Sequence, residues 1–230
     1  MKKKVVILSG SGISAESGIP TFRDMGGLWK QYRFEEVASP DAWDSNPQVV
    51  MDFYNERRKK SLEVKPNEGH LSLVRLEEKY DVQIITQNVD NLHERAGSKN
   101  VLHLHGELHK SRSTKDPSLV YDIDGWELKL GDKCEKGSQL RPYIVWFGEP
   151  VPMINKASMI CQKADIFIVV GTSLAVYPAA GLIDYVPSKT DKYIVDISQV
   201  AMNSNIKNLY FINKKASEGL PELVDKLLKE

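Results

Sequence analysis

Two histidines stand two residues apart in Val101-Leu102-His103-Leu104-His105-Gly106. Val101–Leu104 reads as a short strand, so both imidazoles project from the same strand face near its end. Either has the near-neutral pKa of a general base, and either could equally be a satisfied core residue. Spacing alone does not separate them. Gln87, Asn88 and Asp90 follow the end of another apolar run, Val82–Ile85. Ligand-binding groups of open α/β sheets collect at such strand ends, although an Asn-Val-Asp turn is also a common loop cap. A third candidate is Gly10-Ser11-Gly12-Ile13-Ser14-Ala15, which follows the run Val5–Leu8 directly. This is the G-x-G-x-x-A dinucleotide turn, whose glycines let the backbone approach a pyrophosphate at a helix N-terminus. A hydride-transfer enzyme of this kind needs a second strand ending in an acidic ribose ligand about 20 residues later. Here that stretch is PTFRDMGGLWKQYRFEE, which does not read as a buried strand. Dinucleotide binding is expected and dehydrogenase chemistry is not.

The elements that must position these residues are legible as periodicity. Short β-branched runs occur at Val5–Leu8, Val82–Ile85, Val101–Leu104, Tyr143–Phe147, Ile166–Val170, Tyr193–Ile197 and Leu209–Ile212. Most are apolar at consecutive positions, as strands buried on both faces of a parallel sheet are. Helical spacing marks Pro47–Leu62, His70–Tyr80 and Leu220–Leu228. The alternation predicts an α/β fold: a Rossmann-like, doubly wound parallel sheet with a small inserted subdomain. The expected single domain has its core at about 1–30, 80–110 and 141–230, a helical and loop module at about 31–79, and the small subdomain at about 111–140. Pro20–Asn46 is expected to be a mobile loop leading into helices. The 230 residues are 41% apolar and 27% charged, with a net charge of zero, so composition does not suggest binding to nucleic acid or a membrane surface. The apolar run after MKKK is too short for a signal-peptide core, and no segment approaches the roughly 20 apolar residues of a membrane span. A cytoplasmic monomer is expected. Cys134 and Cys161 do not form a CxxC pair.

The run GSGISAESGIPTFRD, Gly10 to Asp24, resembles the signature opening of the sirtuin family. TQNVDNLH (Thr86–His93), LHGEL (Leu104–Leu108), IVWFGE (Ile144–Glu149) and GTSLAVYPAA (Gly171–Ala180) resemble further blocks of that family and span almost the whole chain. The resemblance implies an NAD-dependent protein-lysine deacylase that consumes NAD as a co-substrate. Its products would be free lysine, nicotinamide and O-acyl-ADP-ribose. It selects His105 over His103 as the base that activates a ribose hydroxyl. By the same resemblance Asn88 and Asp90 hold nicotinamide and ribose, and Gln87 contacts the ribose. Arg23 pairs the pyrophosphate, and Phe22 covers the reacting ribose. The loop Gly10, Ser11, Gly12, Ile13, Ser14 cradles the dinucleotide. Gly171, Thr172, Ser173, Ser198 and Ala216 take the adenosine side. Val145, Gly148 and Glu149 match the edge where a substrate peptide is added as an extra strand. A protein ADP-ribosyltransferase and a catalytically silent NAD sensor are the alternatives.

Tyr54 and Arg57 share one face of the helix over Pro47–Leu62. Tyr-x-x-Arg at this place resembles the class III sirtuins associated with succinyl- and malonyl-lysine, and Ala38 matches the small residue that enlarges their acyl pocket. A guanidinium can pair a distal carboxylate bidentately while a phenol adds a donor. Against this, the run Arg57-Arg58-Lys59-Lys60 has the composition of a solvated helix face. Most sirtuins hold a structural zinc in the inserted subdomain with two cysteine pairs. Here the matching stretches read HKSRST and DKCEK, so His109 and Cys134 leave half a tetrahedral sphere without ligands. No zinc is expected, and the subdomain is expected to close by packing around Tyr121, Trp126 and Leu128.

Overall fold

A computed structural model describes residues 2–21, 33–198 and 206–230. Its main sheet contains six parallel strands: β1 (Lys4–Ser9), β2 (Asp81–Thr86), β3 (Val101–His103), β7 (Ile166–Val170), β8 (Asp191–Val195) and β9 (Leu209–Ile212). Their spatial order is β3-β2-β1-β7-β8-β9. The chain winds outward from β1 in one direction and then from β7 in the other, which puts a topological switch point between these two strands. In open α/β sheets the crevice at the carboxyl ends of such strands is where ligands bind.

The apolar strands divide their side chains between two cores. Val5 and Ile7 of β1 join Ile166, Ile168 and Val170 of β7 on one face. That face is covered by α5 (Glu68–Leu76) and α8 (Ala216–Lys229). Val6 and Leu8 join Phe167 and Val169 on the other. There the cover is α7 (Ile154–Cys161) and a 3-10 helix at Ala179–Tyr185. The period-2 alternation of the strands feeds both cores, which is why these runs are apolar at every position.

A second layer stands beside the carboxyl end of the sheet. It comprises the short helices α2 (Phe34–Val37) and α3 (Pro40–Ser45), the long α4 (Pro47–Glu63), and a three-stranded antiparallel sheet. The strands are β4 (Gly106–Ser113), β5 (Val120–Asp122) and β6 (Leu140–Ile144), in the order β5-β4-β6. Asn46 caps α4, its side chain accepting from the Val49 amide, with Pro47 in the first turn. The strand expected at Tyr143–Phe147 is therefore displaced. The ordered strand is Leu140–Ile144, and it belongs to the small sheet. Gly106 is the reason the chain can leave the main sheet so soon after β3. Its φ is +85°, and a Cβ there would lie 2.1 Å from the Tyr143 carbonyl oxygen. Only glycine lets the two backbones meet at that point. Among the described residues two short helices remain, α1 (Gly12–Ala15) and α6 (Leu92–Ala96), one after each of the first two strands of the main sheet.

Candidate active site at the strand ends

The loops after β1 and β7 interlock at the switch point. Gly10 N donates to the Val170 carbonyl at 3.0 Å, and Gly12 N donates to the Gly171 carbonyl at 2.8 Å. A Cβ on Gly12 would lie 2.6 Å from Gly171 Cα, so the close approach excludes side chains. The result is a stretch of bare backbone suited to a large phosphorylated ligand. Helix α1 is a single turn of four residues. So short a helix sums little dipole, and the Gly10, Gly12, Ile13 and Ser14 amides already donate within the fold, so the loop offers close approach more than a dipole. Ile13 is wholly buried in the core, and its backbone is engaged as well, N donating to the Gly10 carbonyl and the carbonyl accepting from Asn67 Nδ2. Ser14 is also buried, but its hydroxyl is used: Oγ donates to Asp90 Oδ2 at 3.1 Å and accepts from Asn88 Nδ2 at 3.2 Å. One serine from the β1 loop thus ties together the two polar residues of the β2 loop.

That β2 loop is held from three sides. Gln87 N donates to the Ser9 carbonyl, and Gln87 Nε2 donates to Thr172 Oγ1 at 3.0 Å. Asp90 Oδ1 accepts from Leu92 N at 3.1 Å. Burial raises the Asp90 pKa, while these bonds and the His103 charge oppose the rise. From the third side come the two histidines. His105 Nδ1 lies 3.0 Å from the Gln87 carbonyl. His103 Nδ1 lies 2.9 Å from the carbonyl of the next residue, Asn88. A carbonyl only accepts, so each Nδ1 carries a proton. In His105 this leaves Nε2 as the lone-pair nitrogen, and the ring is half-buried. Burial lowers its pKa, partly offset by the Gln87 bond, so the ring is a neutral base at pH 7. In His103 the second nitrogen is occupied, lying 2.8 Å from Glu94 Oε1.

The acyl side is built on α4 and the small sheet. Ala38, Phe53, Tyr54, Leu108, Ile144 and Trp146 share one apolar cluster. Tyr54 is 3% exposed, and its hydroxyl oxygen accepts from Trp146 Nε1 at 3.1 Å. The indole N–H can only donate, so the phenol proton is left to point elsewhere. Burial pushes the Tyr54 pKa up to about 12, against the pull of the Arg57 charge. The Arg57 guanidinium lies over the Phe53 ring, 5.4 Å from its centroid, and burial lowers its pKa against the opposing influence of Tyr54 and Asp90. It is half-buried, unlike the exposed Lys59 and Lys60 of the same run. The backbone then links this region to the histidine: Val145 N donates to the His105 carbonyl at 2.9 Å, and Phe147 N to the Ala38 carbonyl at 3.0 Å.

The model of the Sir2 family matches residues 10–178. The chain belongs to the Sir2 family. An NAD-dependent protein deacylase of Bacteroides thetaiotaomicron is 52% identical, over 98% of each chain. The crystal structure of a Sir2 homologue–NAD complex superposes with a TM-score of 0.88 at 40% identity, covering 99% of this chain and 90% of that one. A Sir2 homologue mutant in complex with ADP-ribose gives 0.89 at 40% identity, covering 99% and 93%.

Several side chains of this Sir2-family chain do work that its motifs did not announce. Arg58 lies in the charged run yet is wholly buried. Its Nε donates to the Leu108 carbonyl at 2.6 Å, and its Nη1 donates to Asn55 Oδ1 and to the Trp126 carbonyl. Asn55 completes the clasp, donating to the Leu128 carbonyl and accepting from the Leu128 amide. The small sheet is therefore not closed by packing alone, as expected from Tyr121, Trp126 and Leu128. Leu128 is buried but Trp126 is 38% exposed, and hydrogen bonds from α4 hold the segment. His109 Nε2 bonds to Ser61 Oγ at 2.8 Å, and among the described residues no group of three or more His, Cys, Asp or Glu could hold a metal. Glu149 is also committed internally. Its carboxylate accepts from Arg112, from both Nη atoms of Arg141 and from the Trp146 amide. Its side chain braces the 145–149 turn. Ser173 is half-buried beside Thr172, Ser198 is exposed with its amide on Asp196, and Ala216 is buried at the start of α8. Phe22 and Arg23 lie outside the described residues, as does most of the first half of the Pro20–Asn46 loop.

Proposed function

We propose that this protein is an NAD-dependent protein-lysine deacylase that acts on succinyl- and malonyl-lysine as well as acetyl-lysine. The observation that carries the reading is the state of His105. Its Nδ1 proton is fixed on Gln87, its Nε2 is left basic, and it stands beside the loop bearing Asn88 and Asp90. Such an imidazole can take a proton from a ribose hydroxyl while those two residues and Gln87 orient the nicotinamide and ribose. The bare backbone of Gly10, Gly12 and Gly171, with Ser11, Ser14, Thr172 and Ser173, takes the rest of the dinucleotide. Ser198 and Ala216 are assigned the adenosine side, and by the family resemblance Arg23 would pair the pyrophosphate and Phe22 would cover the reacting ribose. Cleavage of the nicotinamide–ribose bond and transfer of the ribose carbon to the acyl oxygen, followed by addition of water to the acyl carbon as its bond to the lysine nitrogen breaks, yield nicotinamide, free lysine and O-acyl-ADP-ribose. The peptide is added along Val145 and Gly148, with Glu149 holding the turn.

Acyl choice rests on Tyr54 and Arg57. A terminal carboxylate would meet a half-buried guanidinium and a phenol whose proton is uncommitted, next to the small Ala38. A charge-assisted pair in that apolar cluster is stronger than the same pair in water. An acetyl group gains nothing from Arg57 and is not repelled by it. Acylated-lysine proteins are the partners under this reading. The test is mass spectrometry of succinylated and acetylated peptides incubated with and without NAD. NAD-dependent loss of the acyl group, with acyl-ADP-ribose formed, is expected. NAD breakdown with ADP-ribose left on protein would instead make the chain a transferase.

A further inference from the structure

His103 is the histidine that the proposed chemistry does not use, and its surroundings define its charge. Its Nδ1 faces the Asn88 carbonyl at 2.9 Å and its Nε2 faces Glu94 Oε1 at 2.8 Å. A backbone carbonyl and a carboxylate are both acceptors. A neutral imidazole has one N–H and would leave one of these contacts acceptor to acceptor. The side chain is 7% exposed, so water cannot relieve the conflict. We infer that His103 is an imidazolium, clamped by Glu94, that acts as the positioning residue for the nicotinamide-binding loop by holding the Asn88 carbonyl and keeping Asp90 ionised.

The geometry gives this charge a specific target. His103 and His105 grip the carbonyls of consecutive residues, Asn88 and Gln87, so together they set the path of the loop. The Asn88 and Asp90 side chains are then joined through Ser14. Asp90 is 6% exposed, and burial by itself favours its neutral form. The groups facing His103 are Glu94 and His93 from α6, Asp90 from the loop, and Glu107 from β4, with Lys110 beyond Glu94. Carboxylates outnumber cations in this set, consistent with a protonated ring. Burial lowers the His103 pKa, but the Glu94 bond and charge outweigh it and the net direction is upward.

Glu94→Gln separates charge from hydrogen bonding. A glutamine amide can donate to Nε2 of a neutral His103, so both hydrogen bonds persist while the ion pair is removed. The inference rests on the reading that this loop binds NAD. In the wild type, the KM for NAD should rise as pH climbs through the elevated His103 pKa. In Glu94→Gln it should be raised about fivefold near neutrality and stay flat above about pH 7, with kcat changed less than about twofold. Nitrogen-15 NMR of the imidazoles should show both His103 nitrogens protonated at neutral pH in the wild type, and only Nδ1 in the variant. His103→Gln, which keeps a donor for Asn88, should resemble Glu94→Gln in its KM. A neutral His103 in the wild type would overturn the inference, as would superimposable KM–pH profiles. So would a variant that only loses thermal stability. Failure of the wild type to bind NAD by calorimetry at any pH would instead remove the reading beneath it.

Discussion

The end of β3 and the middle of α4 each present two like side chains, almost adjacent, that do different things. His103 ends β3, His105 follows two residues later, and they grip consecutive carbonyls, yet the first has both nitrogens engaged and the second has one left over. Their pKa values consequently move in opposite directions. Arg57 and Arg58 are neighbours on a helix, so they point about 100° apart. Arg58 disappears into the clasp between α4 and the small sheet, whereas Arg57 stays half-buried beside Tyr54. In each pair one member is fixed by acceptors that the fold delivers to it, His103 by the Asn88 carbonyl and Glu94, Arg58 by the Leu108 and Trp126 carbonyls and Asn55. Residue type selects the candidates, and the partners choose between them.

Substitutions break the comparison most sharply at the histidine. His105→Ala should lower kcat/KM by about a thousandfold, the scale of a lost general base, with Tm changed by less than about 2 °C. Equal turnover in the variant, measured as nicotinamide release, would return the two histidines to parity. At the arginines the expected effect moves from activity to stability. Arg58→Met leaves the Leu108 and Trp126 carbonyls without their donor and should cost about 3 kcal/mol, a fall of roughly 6–12 °C in Tm by calorimetry. Arg57→Met should leave Tm nearly unchanged.

A third pair of like residues tests whether burial without chemistry behaves differently. The rings of His70 and His93 lie 5.0 Å apart, and burial holds both neutral, His70 with a pKa pushed down from 6.5 to about 4. The unfolded chain takes up a proton near the ordinary value, so it binds more protons than the folded one between those limits. Stability should therefore fall as pH drops from about 6.5 to about 4, by about 3 kcal/mol for His70 alone, with His93 adding in the same direction. Urea titrations across that range would measure it, and His70→Gln should flatten the dependence. Activity has its own acid limb, set by His105 protonation below its ordinary range.

The smaller effects sharpen the arginine comparison through acyl choice. Arg57→Met should lower kcat/KM on a succinyl peptide by about 10- to 30-fold and on an acetyl peptide by less than about threefold. An equal loss on both would assign Arg57 to the scaffold alongside Arg58. Tyr54→Phe removes the uncommitted proton and should cost about fivefold on the succinyl peptide, with little change on the acetyl one.

Much of this protein is written locally. Continuous apolar runs specify strands buried on both faces because in a parallel sheet every side chain meets a core, and β7 falls where its run does, at Ile166–Val170. The glycine loop at Gly10–Ala15, the Asn88–Asp90 turn and the His-Gly step after β3 were likewise legible, since each needs particular residues at fixed spacing. Val145 to Phe147 misled as a strand because their apolar character serves the Trp146 cluster and the turn braced by Glu149. A charged run such as Arg57–Lys60 carries no mark of which member is buried, because that depends on where a segment 50 residues away lays its carbonyls. The protonation of His103 is of the same kind. It follows from two acceptors, the Asn88 carbonyl of the loop after β2 and the Glu94 carboxylate of α6, and only the folded chain brings both to the ring at the end of β3.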